Sequence, residues 1–360
     1  MGSSAMDQYV PDFLVTPGAV LEEYLEHLAM SQLELADRTG LAKKTINEVV
    51  RGKSPITHET ALKLELTLGR PAHFWTNLER QYQEDRARLA AEQKFAASVG
   101  WLERIPVKAM IRLGWILKKA TPSLQLEEAL RFFGIASPEQ WETVWQEHQA
   151  VAYRQTKRFE KKEEAVSAWL RRGEILAQYV ECAPFDKKHF LAVLDEIRSL
   201  TTEQPETFVP RLQALCSSAG VAVVFVPELP KIGVWGATRW IGDKAVIQIS
   251  LRYKSNDHLW FTFFHEAGHI VKHGRKDVFI EGGGVCDAKE QEANEFACNA
   301  LIPKDKIAKF LKPGRPTLEA IQQFASELGL APGIVVGRLQ HDQILPQHTG
   351  NKLKIFYCWV

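Results

Sequence analysis

Two histidines and a glutamate within five consecutive residues are the part of this sequence best suited to chemistry. His265 and His269 are four residues apart, so in a helix their imidazoles lie one above the other and can bind the same metal ion. Glu266 lies beside them, close enough to take a proton from a water molecule on that ion. The spacing predicts a catalytic zinc site with His265 and His269 as ligands and Glu266 as the general base.

An apolar helix must position these side chains. Ser255, Asn256 and Asp257 are predicted to cap its start, and Gly274 is predicted to end it. Between these points apolar residues form a broad surface: Leu259, Trp260, Phe263, Phe264, Ala267, Ile270 and Val271. The sequence therefore predicts that the zinc helix lies in a protein core.

The third ligand is expected on a second helix, residues 289–302, which ends before Pro303. Three glutamates of that helix are candidates: Glu290, Glu292 and Glu295. Glu290 shares a helical stripe with Ala293 and Ala297, whose small side chains would let this helix approach the zinc helix closely. Glu292, the nearer rival, and Glu295 fall off that stripe. We therefore predict Glu290 as the third zinc ligand.

Two neighbouring polar residues are assigned supporting roles. Asn294 lies one turn beyond Glu290, where it can orient a liganding histidine. His273 follows His265 by two helical turns, which places its backbone about 12 Å away. Because His273 cannot bind the same ion without breaking the helix, we predict that it is structural.

These residues resemble the ImmA/IrrE metallopeptidases, which are similar to gluzincins in using His, His and Glu as zinc ligands. The resemblance rests on residues 265–269, on Glu290 followed by Ala293, Asn294, Phe296 and Ala297, and on residues 301–303. It covers residues 206–360. It implies zinc-dependent peptide hydrolysis, in which Glu266 takes a proton from water and returns it to the leaving amine.

The resemblance also implies an α+β domain with a small sheet. Residues 221–226 and 245–251 have the apolar, β-branched composition of strands. The second of these segments would be the edge strand along which such enzymes bind an extended peptide by strand addition.

A second pattern, near the N-terminus, is typical of DNA binding. Residues 31–34 form a capping box that opens one helix, and Gly40-Leu41 marks the turn before a short helix at 42–52. In the short helix Ile46, Val49 and Val50 are predicted to pack inward. This arrangement predicts a helix-turn-helix whose second helix enters the major groove. Lys43, Lys44, Thr45 and Asn47 are the predicted base-contacting residues, and Gln32, Arg51 and Lys53 are the predicted phosphate-contacting residues.

Residues 15–78 resemble the Xre-type domain of HigA-like antitoxins. The matching segments are residues 17–18, 31–32, 46–48, 52–53, 56–57, 60–62, 74–75 and 77–78. Ala42 departs from the pattern, because a capping Ser or Thr is usual there, and we expect a weakly capped recognition helix with modest DNA affinity. The alternative interpretation is an ordinary helical bundle with solvated lysines.

Bulk composition excludes some classes of function. The formal net charge is +1, from 45 Lys plus Arg against 44 Asp plus Glu, so DNA contact requires a local basic patch and dimerisation. The five cysteines, without a C-x-x-C pair, indicate a reducing cytoplasm rather than a disulfide framework. No apolar run is long enough to span a membrane, so we expect a cytoplasmic protein with no membrane partner.

The predicted fold is multidomain, mainly α plus α+β. It comprises an all-α helix-turn-helix domain at 10–95, a helical middle domain at 96–205, and a gluzincin-like α+β metallopeptidase domain with a small sheet at 206–360. The middle segment shows helical apolar spacing. Trp145 and Trp169 lie at that spacing, so we predict core packing for them rather than a ligand pocket.

Three functions are compatible with these features. The first, which we favour, is a DNA-binding regulator fused to a latent zinc endopeptidase that cleaves a protein partner, a repressor or a toxin, when a signal arrives. The second is a HigA-like antitoxin or repressor with a structural or sensory zinc domain. The third is a peptidase that uses its N-terminal module for protein docking. Intact Glu266 argues against the second, and outward Lys43, Lys44 and Asn47 argue against the third. The expected partners are zinc, a peptide substrate, a second copy of the chain and an operator with an inverted repeat in its own promoter.

Overall fold

The computed structural model describes residues 14–146, 163–275, 277–281 and 288–359. The chain divides into two compact units, Met1–Val99 and Gly100–Val360. The first unit contains the segment predicted to bind DNA. The second contains both the predicted middle segment and the predicted peptidase segment, and a domain boundary at residue 205 stays a prediction.

The first unit is a bundle of helices around a single core. Its described helices are α1 (Pro17–His27), α2 (Gln32–Thr39), α3 (Lys43–Val50), α4 (His58–Leu68) and α5 (Ala72–Ser98). Trp75 is fully buried at the centre and packs edge-to-face against Tyr24 and Phe74. At Gly18 an added Cβ would lie 2.1 Å from the Val49 carbonyl oxygen, so glycine allows α1 to pack directly on the end of α3.

The caps of the two helices in the helix-turn-helix are mostly those that the sequence predicts. Ser31 Oγ accepts a hydrogen bond from Glu34 N at 3.1 Å, and Gly40 ends α2 with a φ of 65°. In a complete capping box the Glu34 carboxylate would accept a hydrogen bond from the backbone N–H of Ser31. The carboxylate instead accepts hydrogen bonds from Arg38, so the prediction of a complete capping box is half right. Ala42 starts α3 without a side-chain cap, as expected.

The second unit is built from helices and one small sheet. Its described helices are α6 (Val107–Arg112), α7 (Pro122–Phe133), α8 (Pro138–Trp141), α9 (Glu163–Gln178), α10 (Lys187–Ser199), α11 (Pro205–Ser218), α12 (Asn256–Lys272), α13 (Ala288–Leu301), α14 (Lys304–Leu311), α15 (Leu318–Leu328) and α16 (Pro332–His341). Its described strands are β1 (Val221–Phe225), β2 (Gly236–Ile241), β3 (Lys244–Ile249) and β4 (Phe279–Glu281). Trp145 and Trp169 are both buried, but Trp145 also lines a cavity, so the prediction of core packing rather than a pocket holds for Trp169 alone of the two.

The sheet order corrects one expectation. The strands are arranged β1-β3-β2-β4, with β3 parallel to β1 and antiparallel to β2. The segment expected at the edge, residues 245–251, therefore forms a central strand whose hydrogen-bonding groups are used on both sides. Strands β1 and β4 occupy the two edges, so a peptide cannot be added at β3.

Alternation along the strands gives the sheet two different faces. On β2, Thr238 is hydrogen-bonded to Glu266 of α12, whereas Arg239 donates to the Leu170 carbonyl of α9. On β3, Gln248 donates to the Trp169 carbonyl of α9 at 2.7 Å. Helices α9 and α12 thus cover opposite faces, and α12 lies between the sheet and α13.

Helix α12 starts where the sequence predicted, but its capping interactions differ from the predicted ones. Ser255 is the N-cap residue but accepts no side-chain capping hydrogen bond. Asn256 instead accepts from Ile355 N at 3.1 Å, and Asp257 forms an ion pair with Lys354 at 2.7 Å. These two side chains bind the C-terminal segment, which the local sequence pattern could not show.

The fold class is confirmed as mainly α with a small four-stranded mixed sheet. Helices α15 and α16 are the last two α-helices among the residues described. Among the helices described, none has the length and apolar character needed to cross a membrane.

Candidate metal centre and DNA-binding surface

Three side chains meet at one point between α12 and α13. His265 Nε2 lies 3.0 Å from His269 Nε2 and 3.1 Å from Glu290 Oε2, and His269 Nε2 lies 3.5 Å from Glu290 Oε1. Two ligand atoms on a tetrahedral zinc, each about 2.0 to 2.2 Å from the ion, are roughly 3.4 Å apart. The three distances, two of which involve different oxygens of Glu290, are close to this separation, so the three side chains lie near enough together to bind one zinc ion.

Small residues bring the two helices close enough for this contact. A Cβ added at Gly268 would lie 3.2 Å from Ala293 Cα, and Ala293 and Ala297 are both fully buried. Since α12 and α13 touch along this stripe, Glu290 reaches the histidines from the first turn of α13. Glu292 and Glu295 point elsewhere, towards His273 Nε2 at 3.4 Å and Lys304 Nζ at 3.8 Å respectively.

Both histidines are oriented through their second ring nitrogen. His265 Nδ1 lies 2.9 Å from Asn294 Oδ1, which is the contact expected for Asn294. Because an amide oxygen only accepts, Nδ1 carries the proton and Nε2 presents its lone pair to the ligand triangle. His269 Nδ1 lies 3.0 Å from His273 Nδ1, so the residue predicted to be structural orients the other histidine.

Glu266 is fully buried and held from the sheet. The Thr238 hydroxyl lies 2.6 Å from Glu266 Oε2 and 3.0 Å from the Glu266 carbonyl oxygen, so two acceptors share its single proton. Glu266 Oε1 has no hydrogen-bond partner among the described residues. A Cβ added at Gly236 would lie 2.4 Å from Oε1, so glycine is required where β2 passes the carboxylate.

Sequence reasoning missed Thr238, Gly236 and a further carboxylate, Glu281. Glu281, at the end of β4, has a potential ligand atom within 4.8 Å of those of His265 and Glu266, and it is buried. Its Oε2 has no hydrogen-bond partner in the described part of the chain. A lone glutamate on a short strand has no local signal, and only the pairing of β4 with β2 brings it here.

The electrostatics of the site favour a cation. Burial opposes charge on His265, yet the carboxylates of Glu281, Glu290 and Glu266 raise its pKa to about 10. Burial opposes the charged form of Glu290 too, but hydrogen bonds with both histidines lower its pKa to about 2. Burial lowers the pKa of His269 to about 4 and raises that of Glu266 above its ordinary value.

The carboxylates around His265 therefore favour a positive charge at this point. A divalent cation placed there would interact with the same carboxylates and imidazoles. The donor set, two imidazole nitrogens and one carboxylate, is that of catalytic zinc sites with a fourth position open. These residues fit zinc.

A mainly apolar cavity of about 250 Å³ adjoins the site. Thr262 and Glu281 line it on the side of the metal triangle, and Phe261, whose ring centroid is 6.2 Å from that of His265, forms part of its wall. Trp235, Leu301, Ile302 and Ile334 add apolar lining, and Asp257, Arg338 and Lys354 are among the polar residues that line it. The cavity can accept one large apolar side chain.

The predicted DNA-contacting residues lie along α2, α3 and the turn after α3. Ile46, Val49 and Val50 are buried, while Lys43, Lys44, Arg51 and Lys53 are exposed and Gln32, Thr45 and Asn47 are half-buried. Asn47 Nδ2 donates to Gln32 Oε1 at 3.3 Å. Lys44 Nζ lies 3.9 Å from Glu48 Oε1. These residues form one polar surface over a buried apolar face.

Comparison with known families separates the region of the metal triangle from the region of the DNA-binding surface. Residues 216–340 match the IrrE N-terminal-like domain of the Peptidase_M78 family, and residues 21–75 match the helix-turn-helix family. The first match covers the metal triangle and the second covers α3.

Two curated relatives match the N-terminal unit. "Virulence-associated protein I" of Dichelobacter nodosus is 38% identical over 69 residues, which are 19% of this chain and 64% of that protein. "Uncharacterized HTH-type transcriptional regulator YddM" of Escherichia coli (strain K12) is 32% identical over 66 residues, which are 18% of this chain and 70% of that protein. The chain thus spans less than two thirds of the first relative's length and somewhat more than two thirds of the second relative's length.

Solved structures are also similar over this region. An addiction module antidote protein of the HigA family from Coxiella burnetii is 30% identical, and the match covers 23% of this chain and 91% of that chain. The TM-score is 0.22. The Pseudomonas aeruginosa antitoxin HigA with the higBA promoter is 28% identical, and the match covers 23% of this chain and 90% of that chain, with a TM-score of 0.22.

The family matches define the class of protein. The chain belongs to the helix-turn-helix regulator family through its N-terminal unit. That regulator-like domain is fused to an IrrE-like domain of a metallopeptidase-like family.

Proposed function

We propose that this protein is a DNA-binding transcriptional regulator joined to a zinc-dependent endopeptidase. The observation that carries the proposal is the ligand triangle of His265, His269 and Glu290, with the unbonded Oε1 of Glu266 beside it. A structural zinc site closes all four positions with protein ligands, whereas this triangle offers three and places a buried carboxylate next to the fourth.

Zinc, when bound, supplies a Lewis acid that polarises a peptide carbonyl and makes a neighbouring water more acidic. Glu266 then accepts the proton of the attacking water at Oε1 and delivers it to the nitrogen of the leaving amine. Thr238 holds the other carboxylate oxygen, so Oε1 stays directed at the reaction. Asn294 and His273 keep the two imidazoles in the orientation that ligation requires.

The proposed substrate is a protein or peptide that places a large apolar side chain in the cavity beside the site. The mainly apolar surface of the cavity supports this choice, because Phe261, Leu301 and Ile302 supply apolar contacts for such a side chain. A repressor and a cognate toxin are the two kinds of protein partner that the regulator-like domain suggests.

The DNA part of the proposal rests on the helix-turn-helix match and on the polar surface of α3. A homodimer would place two recognition helices one turn of DNA apart, on an inverted repeat in the promoter of its own gene. Lys43, Lys44, Thr45 and Asn47 would contact base edges, and Gln32, Arg51 and Lys53 would contact phosphates. The protein would act in the cytoplasm, where its DNA is.

A peptide library tests the peptidase proposal. The zinc-loaded full chain is incubated with a proteome-derived mixture of peptides, and new termini are mapped by mass spectrometry. We expect cleavage with a preference for a large apolar residue at one position next to the cleaved bond. Glu266→Gln, a nearly isosteric change, should keep the metal and lower the rate at least about a hundredfold.

The same experiment separates the alternatives. Cleavage that persists unchanged in Glu266→Gln would remove Glu266 as the base. Absence of cleavage by the zinc-loaded chain, together with specific promoter binding, would favour an antitoxin or repressor with a structural or sensory zinc domain.

A further inference from the structure

A second cavity, of about 310 Å³, lies in the C-terminal unit away from the metal triangle. It is bounded by Phe133 at the end of α7, by Val144 and Trp145, by the middle of α9 and by the end of β2. Its volume is in the range of sites for small organic molecules. None of the functions proposed above uses it.

Two arginines line this cavity and share one acid. Arg171 Nη1 lies 2.7 Å from Glu174 Oε1, and Arg239 Nη1 lies 3.6 Å from Glu174 Oε2. Within the described ranges, no other carboxylate lies within ion-pair distance of Arg239. The cavity therefore carries one more positive charge than negative.

Arg239 bears the unbalanced charge in a buried position. Its side chain is 10% exposed, it donates one hydrogen bond to the Leu170 carbonyl, and its Nε has no hydrogen-bond partner among the described residues. Burial lowers the pKa of Arg239 to about 10, despite the opposing effect of Glu174. A buried guanidinium stays charged and is costly unless an anion accompanies it.

The rest of the lining is aromatic and aliphatic. Phe133 and Trp145 meet edge-to-face, with ring centroids 6.0 Å apart, and Trp240 lines the cavity with Ile241 and Val278. Aromatic walls favour a flat ring, and a guanidinium favours a carboxylate or phosphate group.

We propose that this cavity binds a small organic anion with a planar ring, with the anionic group on Arg239 and the ring against Phe133 and Trp145. The inference is independent of peptidase activity. It gives the regulator a ligand site on β2, the strand that also holds Thr238 against Glu266.

Calorimetric titration of the full chain tests the proposal with three probes: benzoate, adenosine 5′-monophosphate and inorganic phosphate. The first two carry a planar ring and distinguish a carboxylate from a nucleotide, while the third has no ring. We expect at least one ring-bearing probe to bind at least about tenfold more tightly than phosphate, a difference of about 1.4 kcal/mol.

Two variants locate the site. Arg239→Met removes the charge with little change of volume, and Val144→Trp fills the cavity from a partly exposed position without removing a core side chain. Each should weaken the bound probe at least about tenfold. Arg198→Met is the matched control, because Arg198 bonds two backbone carbonyls outside the cavity, and it should leave binding unchanged.

Thermal unfolding of each variant accompanies the titrations, so that binding is compared only between folded proteins. Val144→Trp keeps the test decisive where Arg239→Met does not fold. The proposal is overturned by no binding of either ring-bearing probe at millimolar concentration, by equal affinity for phosphate, or by binding that survives in the folded variants.

Discussion

The metal centre and the recognition helix both depend on polar side chains, but they hold them differently. At the metal centre His265 and Glu266 are buried, and residues from β2, α12 and α13 contact them. On α3, Lys43 and Lys44 are exposed, and the Lys44 side chain forms an ion pair with Glu48 of the same helix. The first site is positioned by tertiary packing, whereas the two lysines of the second are positioned by the backbone of α3.

This difference predicts where substitutions act. A change near the metal centre should move catalytic atoms even when the substituted residue does no chemistry itself. A change on the exposed side of α3 should alter binding and leave the fold intact. The following experiments test that contrast.

The largest effect is expected at Gly236, which contacts Glu266 and performs no chemistry. Gly236→Ala places a methyl group 2.4 Å from Oε1 of Glu266, so the carboxylate must move. A displacement of about 1 Å costs roughly a hundredfold in rate, and we expect this loss in peptide hydrolysis with zinc content unchanged. Gly100→Ala is the control, since a Cβ there meets nothing within 4 Å. Wild-type rates in Gly236→Ala would show that the metal centre is not as closely packed as the contrast requires.

Intermediate effects are expected on the DNA surface. Lys43→Ala or Asn47→Ala should cost about 1 to 3 kcal/mol of binding to a duplex of the chain's own promoter and relax sequence preference. Arg51→Ala or Lys53→Ala should weaken promoter and scrambled duplexes equally and reduce the salt dependence. Gel shifts at several salt concentrations measure both, with unfolding temperatures recorded alongside. Equal affinity of the wild-type chain for the two duplexes would favour a protein-docking role for this unit.

The smallest effect is expected at the start of α3. Ala42 offers no capping side chain, so Ala42→Ser should supply the missing hydrogen bond and stabilise the N-terminal unit by about 1 kcal/mol. Chemical denaturation measures the change. Leu41→Ser, one residue before the cap, is the comparison that should not stabilise. No gain in Ala42→Ser would indicate that tertiary contacts already fix the helix start.

The same contrast explains what the sequence could predict. Helix boundaries, the Ile46–Val50 buried face and the His265–His269 spacing follow from local periodicity, and the structure has them. The stripe of Ala293 and Ala297 also correctly favoured Glu290 over Glu292 as the residue that meets the histidines, because the small side chains face Gly268.

Other parts of the site depend on strand order, which local patterns do not encode. Strand β3 was expected at the edge and is central, because β2 returns between β3 and β4. Thr238 and Glu281 reach the site only through that arrangement. The roles of Asn256 and Asp257 were wrong for a related reason, since their partners are in the distant C-terminal segment.

Zinc content tests the central claim most directly. The full chain is loaded with zinc, dialysed and analysed for metal, beside His269→Ala, Glu290→Ala and Glu292→Ala. Glu290 lies in the ligand triangle and Glu292 on the outer side of the same helix, so the two glutamate variants are a matched pair. We predict about one zinc per chain in the wild type and in Glu292→Ala, and loss of zinc in the other two. Zinc retained in Glu290→Ala and lost in Glu292→Ala, or no zinc in the wild type, would contradict the proposed metal centre.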